Sequence, residues 1–287
     1  ASSRLWVGTN DAGLHIRDLR NGGQTNVGLA QGLGHPTVTG ILLDGQRGAW
    51  LTTPAGVDYL DANGQGLRVL SRTLRAVGLA HLGEGEALLL DAECALWRAG
   101  PGHVERVAAA IEGMDGCTAM VASADGYWVA DEGGVVARML PDGSLARRMS
   151  LPAEVPGALG VSAMHVQAGR FVWLGRADGS LWQLPLDDVG EGAPRRVRLD
   201  QDAGGPIQRV FVSEDGVLWL GSLTRGLFRA RPLSDAVGQG RVEAGAPADW
   251  PSRSLRAIHF SGEFDLVGTD AGLVWRRGDA DWRTVAT

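Results

Sequence analysis

Lysine is missing from this chain: all 27 basic residues are arginine, set against 33 acidic residues for a net charge of -6. The arginines lie scattered among Asp and Glu and form no stripe. A groove that tracks phosphates needs concentrated positive charge, so nucleic acid is not an expected partner. The choice of arginine over lysine carries no functional weight by itself. Long apolar runs are missing too. No stretch approaches the roughly 20 residues that span a bilayer as a helix. The opening ASSRLWV lacks the charged and apolar regions of a signal peptide. Compartment therefore stays open, since a leader or anchor before Ala1 is compatible with a chain that starts without Met. Enzyme signatures are also absent: there is no H-E-x-x-H, no G-x-S-x-G, no Walker loop and no paired C-x-x-C. No cofactor and no metal centre is expected.

The sequence holds instead one phrase written seven times. It reads LWVGTNDAGLHIR from Leu5, GAWLTTPAGVDYL from Gly48, LLLDAECALWR from Leu88 and YWVADEGGVVAR from Tyr127. It returns as VWLGRADGSLWQL from Val172, LWLGSLTRGLFR from Leu218 and DLVGTDAGLVWRR from Asp265. Two short apolar runs around a turn, repeated at this period, are the signature of a β-propeller in which each repeat is one blade. The fold class read here is all-β: a seven-bladed propeller of four-stranded antiparallel blades, forming one domain over residues 1–287. The blades fall at about 1–33, 34–72, 73–109, 110–154, 155–203, 204–247 and 248–287.

Each phrase is anchored by Trp6, Trp50, Trp128, Trp173 or Trp219, with Leu89 and Leu266 in the same register, at spacings of 39 to 47 residues. Blade 2 shows the strand order: TVTGILLD, a turn at Asp44 and Gly45, AWLTT, a turn at Pro54 to Gly56, GVDYLD, the turn ANGQG, then LRVL. Short Val, Leu and aromatic runs bounded by Gly, Asp, Asn and Pro are what antiparallel strands with tight connections require. The four strands are read from the ring centre outward. A second aromatic follows the anchor by eight or nine residues, as Tyr59, Trp97, Trp182, Phe228 and Trp275. These rings read as packing between blades, with a carbohydrate-stacking platform as the alternative. The pairs Asp44–Gly45, Asp125–Gly126 and Asp215–Gly216 read as turns, because a calcium loop needs several closely alternating oxygen ligands.

The blades VTGILLDGQRGAWLTTPAGVDYL and IQRVFVSEDGVLWLGSLTRGLFR approximate the form V-x-x-I-x-x-D-x-x-G-x-[LA]-W-[LV]-G-[TS]-x-x-x-G-L. This form resembles the two-component regulator propeller repeat, over essentially the whole chain. The resemblance implies a bacterial sensor domain for signal transduction, the periplasmic or extracellular part of a membrane-anchored hybrid histidine kinase or diguanylate cyclase. It also implies an oligosaccharide or other small ligand, a second propeller in tandem, and an output domain. Blade 3 departs from the form by lacking both the anchor Trp and the G-[TS] pair, and blade 7 replaces the Trp. Blade 1 lacks its inner strand, because only five residues precede Trp6. Either upstream residues supply that strand, or the blade has three strands, or residues 282–287 swap into it.

Ligands of propellers meet the face built from the turns between second and third strands and the connections between blades. That face collects Asn10, Asp11, Asp91, Glu93, Asp131, Glu132, Arg176, Asp178, Arg225 and Asp270 from the turns. The connections add His35, Arg72, Trp250 and Arg253. Carboxylates, arginines and one Trp suit a small polar or carbohydrate-like ligand, or a protein partner; the competing reading is a solvated polar surface. Cys94 in a turn of blade 3 and Cys117 at the start of blade 4 open onto one face. A disulfide and two buried free thiols both fit that placement, and the bridge requires an oxidising compartment. His165 and His259 share a first-strand register, with His81 nearby; they read as packed imidazoles or as a channel-facing pair. The preferred function is a non-catalytic ligand-sensing or protein-docking propeller. The alternative is a lyase or hydrolase acting on a lactone or ester in the central funnel, a third use being a spacer or dimerisation platform. The seven-bladed streptogramin lyases are of similar length and use a catalytic His, but no His here matches theirs residue by residue.

Overall fold

The computed structural model describes residues 4–45, 48–83, 85–152, 160–167, 170–186, 192–199, 205–213, 216–232, 239–244, 250, 252–260, 264–278 and 280–285. Of the turns read above, Asp215 lies outside them. Strands dominate the described residues, with one 3₁₀ turn among them at Leu29–Gln31. Among the described residues no helix is long and apolar enough to cross a membrane.

The all-β, seven-bladed propeller class read from the repeats is the one observed, with a three-stranded first blade. Blade 1 consists of Arg4–Gly8, Leu14–Asp18 and Gln24–Val27. Blade 2 is Gly40–Asp44, Gly48–Thr53, Gly56–Asp61 and Leu67–Ser71; blade 3 is Ala76–Gly83, Glu86–Asp91, Leu96–Gly100 and His103–Ala108. Blade 4 is Cys117–Ser123, Gly126–Asp131, Val135–Met139 and Leu145–Ser150; blade 5 is Val161–Gln167, Phe171–Arg176, Leu181–Pro185 and Arg195–Leu199. Blade 6 is Ile207–Val212, Leu218–Ser222, Gly226–Pro232 and Gln239–Ala244; blade 7 is Leu255–Phe260, Phe264–Thr269, Gly272–Arg277 and Arg283–Thr284. Arg283 and Thr284 pair with Trp275 and Val274, so they complete blade 7 and do not swap into blade 1.

Two compact units divide the chain: Ala1–Asp131 with Ala137–Arg148, and Glu132–Val136 with Met149–Thr287. In the first unit the first strands of blades 2, 3 and 4 lie side by side, over apolar clusters that include Leu14, Leu51, Trp50 and Leu89. In the second, the first strands of blades 5, 6 and 7 do the same over Trp173, Ile207, Leu220, Trp219 and Leu255. The fourth strands of blades 5 and 6 also pair in parallel, at Arg198↔Gln239 and Leu199↔Gly240, which joins these two blades into one eight-stranded sheet.

Strand pairing corrects the anchor register. In blades 5, 6 and 7 Trp173, Trp219 and Leu266 face His165, Phe211 and His259; the matching pair in blade 3 is Leu88↔Ala80. Leu88, not Leu89, therefore fills the anchor slot. The second aromatics also split into two sets. Tyr59 and Trp275 stand opposite the anchors Trp50 and Leu266, whereas Trp97, Trp182 and Phe228 stand opposite the next residue, Leu89, Leu174 and Leu220. Turn length is the cause: Thr53↔Gly56 and Thr269↔Gly272 close two-residue turns, while Arg176 with Ser180 and Ser222 with Gly226 close three-residue turns. Because side chains alternate between faces, one added turn residue moves the aromatic to the other face. Tyr59 and Trp182 are buried, as packing rings should be.

Candidate functional site

In blades 3 to 7 the first strand opens with a β-bulge. The register slips at Ala76/Gly78 and Cys117/Ala119 in the first unit, and at Val161/Ala163, Ile207/Arg209 and Leu255/Ala257 in the second. The skipped residues are Val77, Thr118, Ser162, Gln208 and Arg256. A bulge bends its strand and re-aims the released side chain, a device common beside functional sites. Opposite the bulges stand the last residues of the second strands, Asp91, Asp131, Arg176, Ser222 and Thr269. Each blade end thus combines a bulge with the turn that holds the polar candidates.

In the first unit, Asn10 and Asp11 are exposed in the blade 1 turn. The Asn10 carbonyl accepts the Thr37 hydroxyl, and His35 Nδ1 accepts the Thr37 N–H at 3.0 Å, so Asn10 and His35 meet through Thr37. Arg72 lies next to them. Its Nη1 donates to Asp58 Oδ1 at 2.6 Å and its Nη2 to the Gly32 carbonyl at 3.1 Å. The Gly34 N–H donates to the other Asp58 oxygen at 3.4 Å, and a Cβ on Gly34 would lie 2.6 Å from Arg72 Nη1. Asp58 is fully buried. Burial pushes its carboxyl above the ordinary value, against the pull of the Arg72 hydrogen bond and charge and the Gly34 N–H. Asp91 accepts from Ala95 N at 2.8 Å and Trp97 Nε1 at 2.7 Å, while Glu93 is exposed. Asp131 is buried and accepts the Asp115 N–H at 3.4 Å. Asp91 thus frames its own turn, while Asp131 holds the connection that leads into blade 4.

Cys94 and Cys117 form a disulfide with Cα atoms 5.1 Å apart. Cys94 has φ 63°, in the left-handed region where Gly134 and Gly179 (φ 80° and 83°) occupy the matching turn positions of blades 4 and 5. An L side chain is disfavoured there. The bridge joins the blade 3 turn to the first strand of blade 4, beside a hydrogen bond of 3.0 Å from Cys117 N to the Ala92 carbonyl.

In the second unit, Glu132 is exposed, and Arg176 is fully buried with Nη1 donating to the Pro152 carbonyl at 2.9 Å. Asp178 accepts the Ser180 N–H at 2.8 Å and hydroxyl at 2.6 Å, which closes its own turn. Trp250 is half-buried, edge-on to Trp282 at 5.1 Å. That contact makes it a packing ring more than an open stacking surface. Arg225 is exposed and its guanidinium lies 5.9 Å from the Phe228 ring. Arg253 backs onto Gly226, the neighbour of Arg225, and Asp270 N donates to the Ser254 carbonyl at 3.1 Å. Asp270 accepts from Arg256 Nε and, at 3.1 Å, from Nη2. The Arg256 hydrogen bond, with one from Ser254, holds the Asp270 carboxyl below its usual range. Arg225, Arg253 and Asp270 are therefore brought to one blade end.

His165 and His259 occupy the same register, opposite Trp173 and Leu266, while His81 faces Ala87, one position along. The His165 ring packs 5.1 Å from Phe211, and burial pushes its pKa down, opposed by a hydrogen bond with the Val212 backbone. His81 and His259 are exposed. Among the described residues no group of three or more His, Cys, Asp or Glu could hold a metal ion.

Two residues of these sites escaped the sequence reading: Asp58 and Arg256. Asp58 sits in a third strand, where GVDYL looks like ordinary alternation. Arg256 is the residue released by the bulge in Leu255–Phe260, and nothing in the sequence marks that bulge.

Bulged first strands, polar turns and seven antiparallel blades define the class of this protein as a β-propeller with an elaborated blade end. No protein-family model and no curated protein matches the chain. Among solved structures it is similar to the computationally designed Ika8 protein, at 14% identity and TM-score 0.65, over 96% of this chain and 81% of that one. It is also similar to the extracellular domain of a hybrid two component system from B. thetaiotaomicron, at 14% identity and TM-score 0.71. That match covers 98% of this chain, which spans only 37% of the extracellular domain. At such identity both likenesses concern fold alone.

Proposed function

We propose that this chain is a non-catalytic ligand-sensing or protein-docking propeller, the extracytoplasmic sensor part of a bacterial signal-transduction protein of the two-component regulator propeller type. The observation that carries the reading is the W-[LV]-G-[TS] phrase. It agrees with the fold likeness to the extracellular domain of a two component system. The disulfide is in keeping with an oxidising compartment such as the periplasm. The polar blade ends supply donors and acceptors for a small ligand with hydroxyl or charged groups.

The test is a thermal-shift screen of the purified chain against neutral and acidic mono- and oligosaccharides, with isothermal titration of each hit. A ligand that binds the folded form alone raises the midpoint by mass action. The reading expects at least one compound that binds saturably and is recovered unchanged. Recovery of a ring-opened lactone or cleaved ester overturns it in favour of an enzyme. A screen without any binder, combined with a parent gene that encodes neither a membrane segment nor a signalling output domain, overturns it in favour of a scaffold.

A further inference from the structure

Blade 1 has an open sheet edge. Its strand Arg4–Gly8 pairs on one side only, with Leu14–Asp18, from Arg4↔Asp18 to Gly8↔Leu14. In blades 2 to 7 the strand at this position lies between two partners. Among the described residues Arg4–Gly8 makes no other backbone hydrogen bond. The difference shows in burial. Leu5, Trp6 and Val7 are each half-buried, whereas the matching residues 49–51, 87–89, 127–129, 172–174 and 218–220 are buried throughout. An unpaired edge is a template for another strand, and proteins that avoid such pairing blunt the edge with charge, proline or a bulge. Here RLWVG runs without a register shift and holds one charge, which Arg4 turns to the Ala62 carbonyl.

The other blades show what fits this edge. Six first strands cover it in blades 2 to 7, each antiparallel and of five to eight residues. Blade 6 is a close guide, because LWVGTNDAGL from Leu5 and LWLGSLTRGL from Leu218 have equal length and share Leu, Trp, Gly, Gly and Leu at the same places. There the covering strand Ile207–Val212 sets Phe211 opposite Trp219 and Val210 opposite Leu220, and Ile207 is fully buried. A strand of that sequence on blade 1 sets its Phe opposite Trp6 and its Val opposite Val7. All six first strands are committed to their own blades, and Arg283–Thr284 belong to blade 7, so the described residues leave no strand for blade 1.

We propose that the open edge of blade 1 is a docking site for an extended apolar segment of a partner protein, which adds to Arg4–Gly8 as a fourth, antiparallel strand. Main-chain hydrogen bonds along the strand supply the affinity, and alternate side chains against Trp6 and its flanks supply the selectivity. The site gives the docking side of the proposed function a partner class and rests on that reading for its use.

The probe is the capped peptide IQRVFVS, residues 207–213, titrated into the purified chain by calorimetry, with amide hydrogen exchange read along Arg4–Gly8. One saturable site is expected, with slowed exchange within that strand. Two singly N-methylated forms of the peptide, at the residues that correspond to Val210 and Phe211, separate sheet addition from apolar adhesion. Neighbouring amides of a strand point to opposite sides, so one form should bind at least about tenfold more weakly and the other nearly as well as the parent peptide. Absence of saturation, or equal affinities of the two forms, overturns the site. Exchange along Arg4–Gly8 that is already slow in the chain alone gives the edge to this chain itself, and slowing that follows chain concentration gives it to a second copy; each overturns the partner. The same titration is run on the complete gene product, where loss of binding assigns the edge to a strand of that product and also overturns the partner. A saccharide that binds in the ligand screen leaves these outcomes as they are, so the docking strand can fail while the sensing reading stands.

Discussion

Gly175 and Gly221 hold the glycine slot of the recurring phrase, with no left-handed backbone to explain it. The explanation is the neighbouring blade. A Cβ on Gly175 would lie 2.5 Å from Ile207 Cγ2 and 2.9 Å from Ile207 Cβ; one on Gly221 would lie 2.3 Å from Leu255 Cδ2 but 3.2 Å from its Cγ. The first strand of each following blade thus presses an apolar side chain into the space that glycine leaves. Blade 3 exchanges the roles: Leu90 fills the slot and Gly78 stands across from it. Gly175→Ala should destabilise the chain by about 1–3 kcal/mol, because the β-branched Ile207 cannot turn away without shifting its strand. Gly221→Ala should cost less, since the end of Leu255 can change rotamer. Urea midpoints of the two variants check the order, and equal losses would contradict this account of the glycines.

The third strand of blade 2 and the connections on either side of it are tied together by Asp58 and Arg72. Asp58 is buried and Arg72 keeps about a third of its surface, with side-chain exposures of 0% and 36%. Arg72→Ala should therefore cost about 2 kcal/mol, between an exposed pair and a fully buried one. Its pH dependence has a definite sign. The Asp58 carboxyl lies above 3.8 in the fold, so the native state holds the proton more tightly than the unfolded chain. Its contribution to stability is present at low pH and is lost as pH rises through the folded value. Arg72→Ala removes two influences that hold this value down and so raises it further. The deficit of the variant against the wild type should be smaller at about pH 4 than at about pH 7, measured by urea unfolding at both. A deficit that grows towards acid would reverse the assignment. Strand order in this blade was legible from its turns, whereas Asp58 was not, since one acidic residue among apolar neighbours carries no mark of the arginine 14 positions away.

Over the whole chain, the seven copies of one phrase were sufficient for the fold class, because blade count depends on period alone. They were insufficient for the face each ring occupies, which depends on whether a turn has two or three residues. They were also insufficient for the Arg256–Asp270 ion pair, which depends on a bulge with no residue signature. The cysteines fall between these cases: the repeat placed them on one face and left their oxidation state open. Their bridge spans a sequence separation of 23 and both residues are buried. Two consecutive blades are thereby fastened at a turn whose Cys94 backbone favours glycine. Thiol titration of the denatured, unreduced protein should find no free thiol. Cys94→Ala with Cys117→Ala should lose about 3 kcal/mol of stability through the freed unfolded chain. Cys94→Gly with Cys117→Ala should lose about 1 kcal/mol less, because glycine accepts the left-handed conformation that alanine resists. If the two double variants are equally stable, the turn has relaxed away from that conformation, and the bridge itself holds Cys94 there; if the glycine variant is the more stable, the turn keeps its shape without the bridge.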